Sequence, residues 1–366
     1  MNTRRPAGPQ VRRTTATSGP LRSARMFAFA VPGLGQMLAE ELQAIEGVQA
    51  QGTGFDGRSD VVSFTVEPRA LKYLSQLRLA EDIFVEAGRT LRSEGDRAHW
   101  ITGRLLKPER TRRALDVRGQ ITRPARERAS YRVIVRVLQE QSFQRTELRR
   151  QLSAAIAKQQ PQWRFDDPAD LELWVLEYQP GKILAGFRAS DARMRQHDGR
   201  AKERRGALRP TVAAAMVRLA GRPGNALLDP CCGSGTILNE ALSLGWKQVY
   251  GTDVDPHAIE TARHNIPAAL LAVGDARHLS HDSTSMDACV SNLPFGQQYE
   301  MQEDTDTWLR KVLTELTRVT APGGRVVLLA PAINRAVVPG QLRLANRTQI
   351  RLLGIKTSIW CYDRSE

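Results

Sequence analysis

The sequence predicts an α/β protein: a doubly wound, Rossmann-like parallel sheet in the C-terminal half, preceded by smaller α+β units. Three observations predict it. Short apolar runs and helix-length amphipathic segments alternate through residues 207–366. A glycine-rich turn, Asp229-Pro-Cys-Cys-Gly-Ser-Gly-Thr236, falls where the first of those runs gives way to a helical pattern. The chain has 366 residues, 41% hydrophobic and 25% charged, an ordinary globular balance over a length that suits two or three domains.

Residues 1–25 hold six arginines, no acid and many Pro, Gly, Ser and Thr, so they are expected to form a disordered arm. The arm has no apolar core like that of a secretory signal, and its prolines and glycines oppose an amphipathic helix. From Met26 the pattern changes. Met26–Val31 is a short apolar run, Met37–Ile45 has helical spacing, and Val61–Val66 alternates as a strand. Ala70–Leu79 reads as a helix and Asp82–Ala87 as a strand, which makes residues 26–95 one small α/β unit. Residues 96–190 form the next. Arg132–Leu138 is a strand, and Thr146–Lys158 is a helix with Leu148, Leu152, Ala155 and Ile156 inward. Leu171–Tyr178 and Lys182–Phe187 pair across a Pro180-Gly181 turn. Polar residues 191–206 are the linker.

In the last unit, strands are predicted at Ala226–Asp229, Gln248–Asp253, Leu270–Asp275, Met286–Asn292 and Arg325–Ala330. Helices are predicted at Thr236–Leu244, Pro256–Asn265 and Asp306–Thr320. Gln349–Ile355 and Thr357–Tyr362 leave no room for a crossover and must form an antiparallel hairpin at the sheet edge.

Charge narrows the function classes. Lys and Arg number 53 against 39 Asp and Glu, a net of +14. Residues 101–150 alone carry 14 basic and 5 acidic side chains. A polyanion such as nucleic acid would relieve that self-repulsion; a solvated arginine-rich surface is the plainer alternative. The four cysteines, Cys231, Cys232, Cys289 and Cys361, form no CxxC pair, so neither a disulfide framework nor a metal site is expected. No apolar stretch is long enough to span a bilayer. A reduced, cytoplasmic protein fits best.

The candidate site gathers at the carboxyl ends of the predicted strands, where open α/β sheets bind ligands. Gly233 and Gly235 permit a tight turn and close approach of a ligand to a helix N-terminus. Asp253 ends the next strand and can accept ribose hydroxyl protons; Asp275 ends the third and can accept from an adenine amine. A dinucleotide fingerprint needs a third glycine, which is absent after Gly235, and Asp229 would repel a pyrophosphate. S-adenosylmethionine, with its ammonium, sulfonium and adenosine, suits these charges. Ser291-Asn-Leu-Pro-Phe-Gly296 ends the fourth strand. The Asn292 side-chain oxygen and the Pro294 carbonyl can accept both N–H groups of a base's exocyclic amine, while Phe295 stacks on its ring. Positioning then carries most of the catalysis, and the base must leave its stack to enter. Asp255, before Pro256, reads as a helix cap.

These residues together resemble the class I S-adenosylmethionine-dependent amino-methyltransferases. Asn292-Leu-Pro-Phe295 is similar to that family's Asn-Pro-Pro-Tyr motif, with Leu293 and Phe295 as departures. Ala207–Met216 resembles the helical lead-in of one branch, the THUMP-domain RNA methyltransferases. Phe27–Gly35 and Tyr131–Ser190, with Ser142-Phe-Gln-Arg-Thr146, resemble its ferredoxin-like and THUMP units. The resemblance implies a tRNA guanine-N2 methyltransferase acting near the acceptor stem, and the Asn-Leu-Pro-Phe form is similar to members that modify the sixth position. It implies a cofactor pocket of Asp229, Cys232, Gly233, Gly235, Thr236, Asp253, Asp275, Ala276 and Asn292. Catalytic roles fall to Asn292, Pro294 and Phe295. RNA contacts are expected at Arg145, Arg149, Arg150 and Lys158, which also fit a solvated helix face. An rRNA guanine-N2 or adenine-N6 methyltransferase, or an RNA-binding relic of the fold, are the competing readings. A monomer without metal is expected.

Overall fold

The computed structural model describes residues 23–136, 143–191, 193–197, 207–294, 304–352 and 354–366. Among them the N-terminal half runs β1 (Ala24–Ala30), α1 (Gly35–Gln43), β2 (Val48–Phe55), β3 (Asp60–Val66), a 3₁₀ helix (Pro68–Gln76) and β4 (Asp82–Leu91). It continues with α2 (Ala98–Leu105), α3 (Pro108–Ile121), β5 (Ser130–Arg136), α4 (Arg145–Gln159), β6 (Arg164–Phe165), β7 (Leu171–Gln179), β8 (Lys182–Arg188) and the short α5 (Arg193–Gln196). One eight-stranded sheet, ordered β2-β3-β1-β4-β8-β7-β5-β6, runs through all of it. The antiparallel β4–β8 pair joins strands from residues 26–95 to strands from residues 96–190.

Alternation along β1 explains why that strand is buried on both faces. Met26, Ala28 and Ala30 point into the main core. Phe27 and Phe29 point the other way, into an aromatic cluster with Phe84 and Trp174; Phe27 stacks on Phe84 with centroids 4.7 Å apart. The Arg136 guanidinium covers this cluster, 4.5 Å from the Trp174 ring, and pairs with Asp56 at 2.7 Å.

Several expectations need correction. The helix expected at Ala70–Leu79 is a 3₁₀ helix, and Leu71, Leu74 and Leu77 are buried at the three-residue spacing such a helix presents on one side. β1 begins at Ala24, inside the segment read as an arm; residues 1–22 lie outside the described set. α5 occupies part of the segment read as linker, whose residues 192 and 198–206 also lie outside it. So do Val137 and Leu138 of the expected strand Arg132–Leu138.

The C-terminal half runs α6 (Pro210–Leu219), β9 (Ala226–Asp229), α7 (Thr236–Ser243), β10 (Gln248–Asp253), α8 (Pro256–Asn265), β11 (Leu270–Val273) and β12 (Met286–Asn292). It ends with α9 (Thr305–Val319), β13 (Thr320–Ala330), β14 (Leu342–Leu352) and β15 (Ile355–Arg364). The seven-stranded sheet is ordered β11-β10-β9-β12-β13-β15-β14. Its first five strands are parallel, and β15 and β14 are the antiparallel hairpin the sequence predicts. The chain steps outward from β9 to β11 and then returns to place β12 on the other side of β9. That reversal opens a crevice at the carboxyl ends of β9 and β12.

One hydrophobic core spans both sheets, with α6 between them; its Val212–Met216 stretch is wholly buried. Buried ion pairs add to the contact. Arg78 forms two hydrogen bonds to the fully buried Glu240 of α7, at 2.9 and 2.8 Å, and His197 Nδ1 meets the same carboxylate at 2.8 Å. Arg351 N–H donates to the Pro32 carbonyl at 3.0 Å. Beside it Gly33 (φ +99°) comes so close to the Gln349 carbonyl that a Cβ would sit 2.0 Å from the oxygen.

Candidate active site

The crevice is built from three strand ends and one glycine loop. β9 delivers Asp229, which is buried. Its Oδ1 accepts from the Ser291 hydroxyl at 2.7 Å and from the Cys231 N–H at 3.1 Å. Because β9 and β12 are parallel neighbours, this bond fixes Asp229 directly beside the residue that precedes Asn292. Burial pushes the Asp229 carboxyl up to about 7, against the Ser291 and Cys231 hydrogen bonds, with Asp253 adding repulsion. Burial and these carboxylates also raise the Cys231 and Cys232 thiols, which stay protonated and are poor nucleophiles.

The loop turns through Gly233 (φ +54°) and Gly235 (φ +87°), both in the left-handed region. Gly235 is the N-cap of α7 and Thr236 opens the helix. The Cys232 N–H donates to the Thr252 carbonyl at 2.9 Å, and Asn265 Nδ2 donates to the Ser234 carbonyl at 3.1 Å, so α8 and β10 hold the loop from behind. Asp253 at the end of β10 works on the loop itself. Its Oδ2 accepts from Gly233 N–H at 2.9 Å and its Oδ1 from Asp255 N–H at 3.0 Å. Asp255 caps α8, accepting from His257 N–H at 2.9 Å.

Asp275 lies two residues past β11. Arg277 closes on it, its Nη2 2.6 Å from Oδ2, and holds its carboxyl below the usual range. The neighbouring Ala276 is buried. Asn292 is the last residue of β12; it and Pro294 are half-buried. Phe295 lies outside the described residues. Sequence reasoning missed Ser291 and Arg277. Ser291 carries a weak signal, a hydroxyl one residue before the strand-ending Asn292. Arg277 carries none, because its role depends on the turn after β11.

Arg145, Arg149, Arg150 and Lys158 are exposed on α4, over the eight-stranded sheet, while Leu148, Leu152 and Ile156 are buried on its other side. Arg150 is committed to Glu147 at 2.9 Å. Among the described residues no group of three or more His, Cys, Asp or Glu is placed to hold a metal, and no helix is long and apolar enough to cross a membrane.

The crevice has the features a cationic adenosine cofactor needs. Among the described residues a Cβ at Gly233 would meet nothing within 4 Å, so the loop's backbone faces open space there. The Asp229 and Asp253 carboxyl groups bond the loop and favour a ligand that brings an ammonium, while Asp275, already paired with Arg277, keeps oxygen acceptors. S-adenosylmethionine meets both requirements.

Comparisons with known proteins agree. The family described as the RMKL-like methyltransferase domain, UPF0020, matches residues 197–339. The tRNA (guanine(6)-N2)-methyltransferase of Thermus thermophilus is 32% identical over 349 residues, 91% of this chain and 97% of that protein. The U6 snRNA (guanine-N(2))-methyltransferase THUMPD2 of Bos taurus is 39% identical over 132 residues, 33% of this chain but only 25% of that protein. The crystal structure of TrmN from Thermus thermophilus superposes with a TM-score of 0.76 at 26% identity, covering 93% of this chain and 99% of that one. A possible methylase from Clostridium difficile 630, at 16% identity and a TM-score of 0.70, shares the fold. The chain therefore belongs to the family of S-adenosylmethionine-dependent tRNA guanine-N2 methyltransferases.

Proposed function

We propose that this chain methylates the exocyclic N2 amine of a guanosine in tRNA, at the sixth position, producing N2-methylguanosine. The observation that carries the reading is the junction of Asn292 with the glycine-loop crevice, made by the 2.7 Å bond from Ser291 to Asp229. The Thermus relative, matched along nearly its whole length, supports the position.

S-adenosylmethionine supplies, when bound, an electrophilic methyl on a sulfonium. Asp229 would hold its ammonium, Asp253 the ribose hydroxyls and Asp275 the adenine amine; Gly233, Gly235 and Thr236 would leave room for its backbone approach. The chain's own part is positioning. A guanine amine is a weak nucleophile because its lone pair is delocalised into the ring. The Asn292 amide oxygen and the Pro294 carbonyl accept its two N–H groups and turn the lone pair out of conjugation. Phe295 stacks on the base plane. The nitrogen becomes acidic only as its new bond forms, so a neutral amide oxygen suffices where a strong base would otherwise be needed. We assign residues 96–190 as a THUMP-like RNA-binding unit, with Arg145, Arg149, Arg150 and Lys158 on tRNA phosphates. A cytoplasmic location accords with a tRNA substrate and with four free thiols.

The test incubates the protein with labelled S-adenosylmethionine and unmodified tRNA or rRNA, then identifies nucleosides by mass spectrometry. N2-methylguanosine in tRNA at position 6 is expected. Methyladenosine, or label only in rRNA, would refute the reading; cofactor binding with no label in any RNA would mark a relic. In the same assay Asn292→Ala should lower turnover at least about 100-fold while leaving the cofactor dissociation constant within about twofold.

A further inference from the structure

Helices α2 and α4 pack together beside β4, and they leave one large ring uncovered. Trp100, in the first turn of α2, is 50% exposed, while Ala98, Ile101, Thr102 and Leu105 of the same helix are buried. Its backbone is tied down and two side chains flank the ring. Arg104 donates to the Trp100 carbonyl and to the Leu91 carbonyl, tying the helix to the end of β4, and pairs with Asp96 at 2.6 Å. The His99 imidazole meets the indole edge-on at 5.2 Å, and the Arg97 guanidinium lies 6.0 Å from its centroid.

The sequence around it is basic. Residues 97–113 contain Arg97, Arg104, Lys107, Arg110, Arg112 and Arg113 against a single acid, Glu109; of these, Arg97 and Arg104 are the ones that touch Trp100. The patch continues onto α4. Helix α2 packs directly against α4, the helix on which Arg145 and Arg149 are exposed. A half-exposed indole flanked by cations fits an unpaired nucleotide: the ring takes the base face and the cations take the flanking phosphates. A paired base has both faces covered by its neighbours and offers no such face.

We infer that Trp100 is a stacking platform for one unpaired nucleobase of the RNA substrate, with Arg97, Arg145 and Arg149 on the adjoining phosphates. The inference rests on the RNA-methyltransferase reading and adds a contact outside the crevice.

The test titrates the full-length protein with unmodified tRNA across a salt series, for wild type, Trp100→Ala, Trp100→Phe and Arg149→Ala. Trp100→Ala should weaken binding about five- to hundredfold. Its salt slope should match wild type, because no charge is lost; its melting temperature should fall only by the loss of the buried half of the ring, which Trp100→Phe largely restores. Trp100→Phe should recover most of the affinity. Arg149→Ala should instead flatten the salt slope. Unchanged affinity in Trp100→Ala, or a loss that phenylalanine does not recover, overturns the inference. If wild type methylates tRNA while Trp100→Ala binds it normally, only this inference fails. If wild type neither binds nor methylates tRNA, the functional reading fails first.

Discussion

Two glycines in one loop should fail in different ways when each gains a methyl group. Gly233 and Gly235 both have positive φ, so alanine at either costs about 1–2 kcal/mol of backbone strain. Their surroundings separate them. Among the described residues a Cβ at Gly233 meets no atom within 4 Å, so strain is its stability cost there. The added methyl instead enters the volume a cofactor must fill, where crowding of about 1–3 kcal/mol corresponds to a loss of affinity of about 5- to 150-fold. A Cβ at Gly235 lies 2.4 Å from Cδ1 of the buried Ile266. Moving that side chain within a packed core adds about 1–2 kcal/mol, for a total near 2–4 kcal/mol. Urea unfolding and calorimetric titration with S-adenosylhomocysteine measure the two quantities. Gly233→Ala should lose only the strain of about 1–2 kcal/mol but bind poorly, and Gly235→Ala should lose the greater stability. Wild-type affinity in Gly233→Ala would refute the placement of the cofactor against this loop.

Other perturbations probe charge. The Asp229 carboxyl sits at about 7 in the folded chain and near 3.8 when exposed, so the folded protein binds an extra proton between those values. Stability of the cofactor-free protein should therefore fall as pH rises from about 4 to about 7 and then level off. Cofactor affinity should rise over about pH 6–7, because an ammonium ligand requires the carboxylate; titration calorimetry on wild type and Asp229→Asn checks this, the variant losing the trend. Arg78→Ala leaves Glu240 buried with only His197 and should cost about 3 kcal/mol in denaturant unfolding. Alanine at Arg145 or Arg149 should reduce the salt slope of tRNA binding by about 0.7–0.9 each. Arg150→Ala should change it less, because that guanidinium already neutralises Glu147.

The C-terminal sheet was the most legible part of the chain, because its strands are mostly short apolar runs that alternate with helices, two of them capped by Asp255 and Asp304. Met286–Asn292 and Pro256–Asn265 are observed with the ends the sequence predicts. The N-terminal half was less legible. α3 buries only Thr111, Ala114 and Val117, too small an apolar stripe to show periodicity among its arginines. β2 is an edge strand with most of its residues exposed, so it lacks alternation. The 3₁₀ helix was misread because its leucines at every third position also satisfy a loose helical spacing. In the crevice, the residue types at the strand ends pointed to one pocket. Their mutual bonds did not appear in the sequence: Asp253 to Gly233, Ser291 to Asp229 and Arg277 to Asp275 depend on strand order and on a turn after β11.

The main-chain bond between Pro32 and Arg351 and the close approach of Gly33 to Gln349 join the segment after β1 to the β14–β15 hairpin. On the ribosome the first strands emerge early and can collapse on their own. Their seat on β14 is not made until residues 342–352 have been translated. The nascent N-terminal module must therefore wait with its docking face bare, and closure of the molecule into one piece is a late event of biosynthesis.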